Sequence, residues 1–161
     1  MKSATSAVAT ITALLAIGLA CAHDSDMRDE WRGWKSEGFP AGWRIDANIL
    51  SKEGEVEDLI SKDTYGDFEA EFDWKVTNGG NAGFFYRGTR EYDHIYWSAP
   101  EYQILDDAHH PDGRNRLSSA AAAYALYAAP EGIVKPADEW NAARIVANYM
   151  EIGRASCRER V

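Results

Sequence analysis

The chain has 161 residues, 45% of them hydrophobic and 12% aromatic, with 26 acidic against 17 basic side chains and a formal net charge of −9. That acidity argues against nucleic acid or an anionic membrane surface as a partner and suits neutral or cationic ligands, uncharged sugars among them. The two cysteines, Cys21 and Cys157, lie close to the two ends, so the body of the chain has no disulfide and must be held by its core.

Lys2 precedes an apolar, Ala-rich run from Ala7 to Ala22 that ends in Ala20-Cys21-Ala22. The run is short for a bilayer span and ends small-x-small, which marks residues 1–22 as a secretory signal peptide cleaved after Ala22. Cys21 leaves a second reading open, a lipoprotein acylated at that cysteine, although Gly18 and Leu19 are out of pattern for it. Either way the protein is exported, periplasmic or extracellular, and the mature chain keeps no transmembrane span. Residues 23–150 then form one domain.

His23 to Arg28 is a polar lead-in. Trp31, Trp34, Phe39 and Trp43 follow, separated by Gly33, Gly38, Pro40 and Gly42, which suggests a segment docked on a sheet. These aromatics fit core and edge cover better than a sugar-stacking platform. Two short strands are expected between Ile45 and Ile60, around Glu53-Gly54-Glu55.

The plainest strand comes next. Phe68, Ala70, Phe72, Trp74 and Val76 alternate with Asp67, Glu69, Glu71, Asp73 and Lys75, apolar side in and charged side out. The expected core is Phe68, Phe72 and Trp74 with Phe84, Tyr102 and Ile104. Thr77 to Asn81 reads as a hairpin turn around Asn78-Gly79. On the return strand Asn81, Gly83, Phe85 and Arg87 share one face, and Ala82, Phe84 and Tyr86 the other.

A loop rich in Tyr and His leads to Glu101-Tyr102-Gln103-Ile104-Leu105-Asp106-Asp107, a strand running into an acidic loop with His109, His110 and Asp112. Glu101 and Gln103 share a face there, backed by Tyr102 and Ile104. Ala120 to Ala129 is open to helix, which alanine favours, or to a buried strand, and in this all-β context reads as a strand; Lys135 to Asn141 reads as a turn, and Arg144 to Met150 as the last strand. Residues 151–161, EIGRASCRERV, resemble the translation of a sequencing adapter and are expected to pack against nothing. Many short strands, Gly-rich turns and no long amphipathic helix make this an all-β chain, an antiparallel β-sandwich.

Trp43 in its AGW turn, YGDFEAEFDWK, GGNAGFFYRG, APEYQILDD, AYALYAAP and EWNAARIVAN stand in an order that resembles the 3-keto-disaccharide hydrolase family, over about residues 31 to 150. The resemblance implies a concanavalin A-like jelly roll, here incomplete at the C-terminus because the family carries a further strand pair. It also implies cleavage of glycosides already oxidised to a ketone at C3. The family usually has NSG where this chain has Asn81-Ala82-Gly83, and a glycine before its Ala-Leu-Tyr motif.

A C3 ketone acidifies the C2 proton, so such chemistry needs a base near C2, an acid for the leaving oxygen and a donor or cation on the C3 oxygen. Glu101 is the candidate base, His109 the acid and Arg87 the group that holds the enolate. Asn81, Gln103, Tyr86 and Tyr124 are candidate contacts for the substrate, an oligosaccharide or glycoside. Asp106 or Asp107 could hold a divalent metal ion on the carbonyl, although the spacing fits no standard metal pattern. Glu101, Gln103 and Arg87 are expected on one concave sheet face, with Asn81 and the Asp106 to His109 loop at its rim. A structural Glu101–Arg87 ion pair stands as an equal alternative. Two rivals remain: an ordinary two-carboxylate glycosidase, which lacks a second carboxylate on the Glu101 strand, and a non-catalytic sugar-binding module.

Overall fold

A computed structural model describes residues 8–14, 27–46, 48–148 and 151–155, the first and last segments by backbone pairing. In chain order the strands are β1 (Val8–Leu14), β2 (Trp31–Gly33), β3 (Trp43–Asp46), β4 (Ile49–Glu53), β5 (Leu59–Ser61), β6 (Phe68–Val76), β7 (Asn81–Phe85), β8 (Glu101–Leu105), β9 (Asn141–Asn148) and β10 (Glu151–Ala155). Three short 3-10 turns are the only helical elements among the described residues. A six-stranded sheet runs β10-β9-β6-β1-β4-β3, with β2-β5 and β7-β8 as two further pairs, every pairing antiparallel.

The β7-β8 pair packs over the inner face of the main sheet, which makes a sandwich. Phe72, Trp74 and Val76 of β6 and Ile145 of β9 meet Tyr102, Ile104 and Leu105 of β8, all of them buried. The Phe72 ring stacks on Phe84 at 4.6 Å and meets Tyr102 edge-on at 5.7 Å. The Trp74 indole donates to the Tyr102 hydroxyl at 3.3 Å, so the polar tip of each buried ring is satisfied. Phe68 and Phe84 pack against this cluster from its margin. Each large side chain so buried contributes about 1.5–3 kcal/mol. On the outer face Glu69 and Asp73 are exposed, and Arg144 of β9 reaches both Glu69 and Glu71. The alternation over 67–76 therefore does what its period demands.

Two expectations change. Glu151–Ala155 is not loose but pairs along β9, whose outer edge offers unsatisfied backbone N–H and C=O groups to any segment that can reach them. Val8–Leu14, read as part of a leader, lies between β4 and β6; its β-branched Val8, Thr10, Ile11 and Thr12 suit an extended backbone. The cleavage region around Cys21, and Val161, lie outside the described residues.

The second change is Ala120 to Ala129, which is neither strand nor helix. Ala121 and Ala125 take left-handed φ of 62° and 60°, and the segment turns repeatedly. It nonetheless runs along β8 opposite β7. Gln103 N–H donates to the Ala122 carbonyl at 3.0 Å, Ala121 N–H to Gln103 at 2.8 Å and Tyr124 N–H to Glu101 at 2.9 Å. Ala120 to Ala123 are all buried, so the small side chains are what let this backbone press against β8.

Candidate active site

In the β7-β8 ladder Phe85 stands opposite Glu101, Gly83 opposite Gln103, and Asn81 opposite Leu105. Directly paired residues share a face, so Glu101, Gln103 and position 83 lie together, away from Tyr102 and Ile104. Gln103 spends its backbone groups on Ala121 and Ala122, which makes Gly83–Gln103 a non-hydrogen-bonded pair, the closer kind. Position 83 has no side chain, and the Glu101 carboxylate fills the gap. A Cβ at residue 83 would collide with Glu101 Oε1 and stand 2.8 Å from its Cγ and Cδ.

Burial pushes the Glu101 carboxyl up to about 7, and the negative charges of Asp112 and Asp58 push the same way. Beside it Gln103 is 1% exposed, donates from Nε2 to the Ser118 carbonyl at 3.3 Å, and leaves Oε1 buried without a partner. A buried acceptor left open costs about 1–3 kcal/mol, which a ligand hydroxyl or a protonated carboxyl would recover.

A cleft of about 300 Å³ opens next to this face, walled by Pro111, Asp112, Asn115, Leu117, Ser118 and Tyr124. Its walls are bonded to β8 through Tyr124 and Ser118. Asn115 Oδ1 accepts from Leu117 N–H at 3.0 Å, which fixes the amide and leaves its NH₂ as a donor. The cleft walls supply an amide, a phenol and the Asp112 carboxylate; Glu101 is not one of them but is joined to them by the bond from Tyr124 N–H to its carbonyl and by the charge of Asp112.

The residues selected from sequence divide. Glu101, Gln103 and Tyr124 come together here. Asn81 is exposed on the same face, four pairs away from Glu101 along the ladder. Arg87 is not brought to Glu101: β7 ends at Phe85, Arg87 takes a left-handed φ of 56°, and its guanidinium lies 3.4 Å from Asp67 before β6. Strand parity fails once the strand has ended. Tyr86 packs edge-on to Phe68 at 6.3 Å, at the margin of the core.

His109 sits at the turn end of the hairpin, its Nδ1 2.7 Å from Asp106 and 3.0 Å from the Asn78 amide. Asp106 is buried and accepts from the Gly79 N–H at 2.7 Å and the Ala108 N–H at 3.2 Å. Burial alone would raise its carboxyl, but these hydrogen bonds outweigh that and hold it low. Asp107 turns elsewhere, to the Ala120 N–H at 2.7 Å, and burial raises it. The two aspartates thus tie separate loops. No group of three or more His, Cys, Asp or Glu among the described residues is placed to hold one.

Residues 22–153 match the model of the 3-keto-alpha-glucoside-1,2-lyase-like domain. The chain belongs to this family. It is 33% identical, over 151 aligned positions, to a 3-keto-disaccharide hydrolase of Bacteroides thetaiotaomicron, covering 80% of this chain and 52% of that protein. The chain is also similar, with a TM-score of 0.66 and 25% identity, to the crystal structure of a Parabacteroides distasonis protein assigned as a glycosyl hydrolase; the match covers 73% of this chain and 58% of the other. It thus spans about half the length of the curated relative it matches.

Within this 3-keto-glucoside-lyase-like domain, Asp58 is a site residue with little warning in its sequence surroundings. It lies between β4 and β5, far along the chain from Glu101, with no pattern around it. Asp112 stood in the acidic loop but was unassigned. The carboxylates that act on Glu101 come from these two connections and not from β8.

Proposed function

We propose that the protein cleaves 3-keto-glycosides, 3-keto-disaccharides in particular, by removing the C2 proton, expelling the C1 substituent and adding water. The single observation that carries this reading is the Glu101 carboxyl, seated over Gly83 beside the cleft and titrating at about 7. A base poised there is partly ionised at neutral pH and strong enough to take a proton next to a ketone.

In the proposed reaction the Glu101 carboxylate takes the C2 proton and the C2–H pair forms the C2–C3 enolate. The Asn115 amide and the Tyr124 phenol, both on the cleft wall, are the donors offered to the C3 oxygen. Collapse of the enolate breaks the C1–O bond and leaves an enone. The leaving oxygen takes a proton, which the now neutral Glu101 can return. Water adds to C1 and a proton to C2, so the sum is hydrolysis. Stopping before the addition would be a lyase reaction. The relative named as a 3-keto-disaccharide hydrolase supports the substrate class.

A binding module has no need for a carboxyl raised to about 7 in a gap beside its cleft, which favours catalysis over the module reading. Export, with residues 1–22 as the leader, belongs to the same proposal; no helix among the described residues is long and apolar enough to cross a membrane. Incubating the intact protein with a 3-keto-disaccharide and resolving the sugars released tests it. Free 3-keto-glucose plus the unoxidised partner is expected, and an untouched substrate would defeat the proposal.

A further inference from the structure

The connection from β7 to β8 carries an aromatic group to which no role has been given. Tyr96 and Trp97 are 56% and 57% exposed. The His94 ring stacks on Tyr96 at 4.8 Å and 16°, and Trp97 stands edge-on to both, 5.0 Å from His94 and 6.1 Å from Tyr96. The three rings form a corner open to solvent. Leaving this much ring surface in water forgoes the burial that stabilises the Phe72, Trp74 and Tyr102 cluster.

The corner is also rigidly mounted. Ile95, between His94 and Tyr96, is buried and packs against Gly88. Ser98 Oγ accepts from Thr89 N–H at 3.0 Å, which closes the loop on itself. Trp34 Nε1 and Lys35 Nζ both donate to the Tyr92 carbonyl at 3.3 Å, and Arg90 Nε donates to the Trp34 carbonyl at 3.1 Å. Tyr86 N–H, donating to the Pro100 carbonyl at 3.2 Å, roots the excursion on the Phe85–Glu101 pair. Trp97 precedes Glu101 by four residues, so their Cα atoms are at most about 14 Å apart.

We propose that Tyr96 and Trp97, steadied by His94, form a pyranose-stacking subsite, within reach of Glu101, that holds the sugar unit that does not carry the ketone. Pyranose rings carry apolar C–H faces and polar rims, and a fixed exposed indole or phenol meets the first while water meets the second. A preformed ring corner loses little freedom on binding, which suits a weak neutral ligand. The negative charge of the chain is no obstacle to a neutral sugar. The inference rests on the proposed function for its choice of substrate, but binding tests it separately.

The experiment compares the intact wild-type protein with Trp97→Ala, Tyr96→Ala and the conservative Trp97→Phe. Turnover of a 3-keto-disaccharide is measured alongside calorimetric binding of the corresponding unoxidised disaccharide. The alanine variants should raise KM and weaken binding roughly tenfold, with kcat within about twofold of wild type, and Trp97→Phe should recover most of the loss. Unchanged KM and unchanged disaccharide binding in Trp97→Ala would overturn the subsite. If the wild type turns over no 3-keto-sugar, the proposed function fails, and loss of disaccharide binding in Trp97→Ala still upholds the subsite.

Discussion

The Glu101 carboxylate occupies the space that a side chain at position 83 would need, its Cγ and Cδ 2.8 Å from where a Cβ of that residue would stand. Gly83 is not required here for a left-handed backbone; it lies inside β7, where any residue could follow the strand. Its contribution is the missing Cβ. Gly83→Ala should therefore keep the fold, with a stability change of about 1–2 kcal/mol, and drive Glu101 from its seat. A displacement of this size should lower kcat by roughly 100-fold. Circular dichroism and turnover on one preparation check it, and a wild-type rate in the folded variant would contradict it.

The same seat carries a stability cost with a definite sign. The folded-state pKa of Glu101, about 7, lies above its ordinary value of 4.5. Folding therefore favours the protonated form: the contribution is fully present below pH 4.5 and is lost as pH rises through 7. With partial solvent screening of the group, the loss is on the order of 2 kcal/mol. Glu101→Gln removes the titration and should be more stable than wild type at pH 8 by about that amount, with the gap closing toward pH 4. Urea unfolding at the two pH values measures the gap; an equal gap at both would show that the seat does not raise the pKa.

Asp106 has the opposite character. Its carboxylate ties the hairpin turn at Gly79 to the loop at Ala108 and His109. Asp106→Ala leaves those N–H groups short of an acceptor and should cost about 2–3 kcal/mol in urea unfolding. Turnover per folded molecule should stay near wild type, because the residue binds chain and not substrate. A variant of undiminished stability that lost turnover would restore Asp106 to the catalytic machinery.

Much of the sandwich was readable in advance because one strand, 67–76, alternates without a break, and its apolar set could pack only against a matching face. Phe72, Trp74, Tyr102 and Ile104 are buried as that alternation requires. Parity also placed Glu101 with Gln103. It misplaced Arg87 because parity holds only while the backbone stays extended, and the left-handed φ at that residue ends it. The 120–129 run was misread because alanine suits helix, strand and close backbone contact alike, and here the third applies. Asp58 was invisible because its neighbour is set by tertiary packing. The exposure of Tyr96 and Trp97 was equally hidden, since aromatic residues are more often core than platform.

The leader reading makes a separate prediction. Expressed in a bacterium with an active export pathway, the protein should appear outside the cytoplasm with His23 as its first residue, read by intact mass. The mature form would then lack β1, leaving β4 and β6 without that neighbour. Retention of Met1 in the exported protein would contradict the leader and keep β1 in the sheet.

The most direct test of Glu101 as the base is exchange of the C2 proton of a 3-keto-glycoside in heavy water, followed by proton NMR with the intact protein. Wild type should wash out the C2 signal at or above the rate of cleavage. Glu101→Gln should still bind the keto-sugar, with an affinity within about threefold of wild type, and leave the C2 signal at its uncatalysed rate. Exchange in Glu101→Gln at the wild-type rate would remove Glu101 from the role and, with it, the account given to the seat over Gly83.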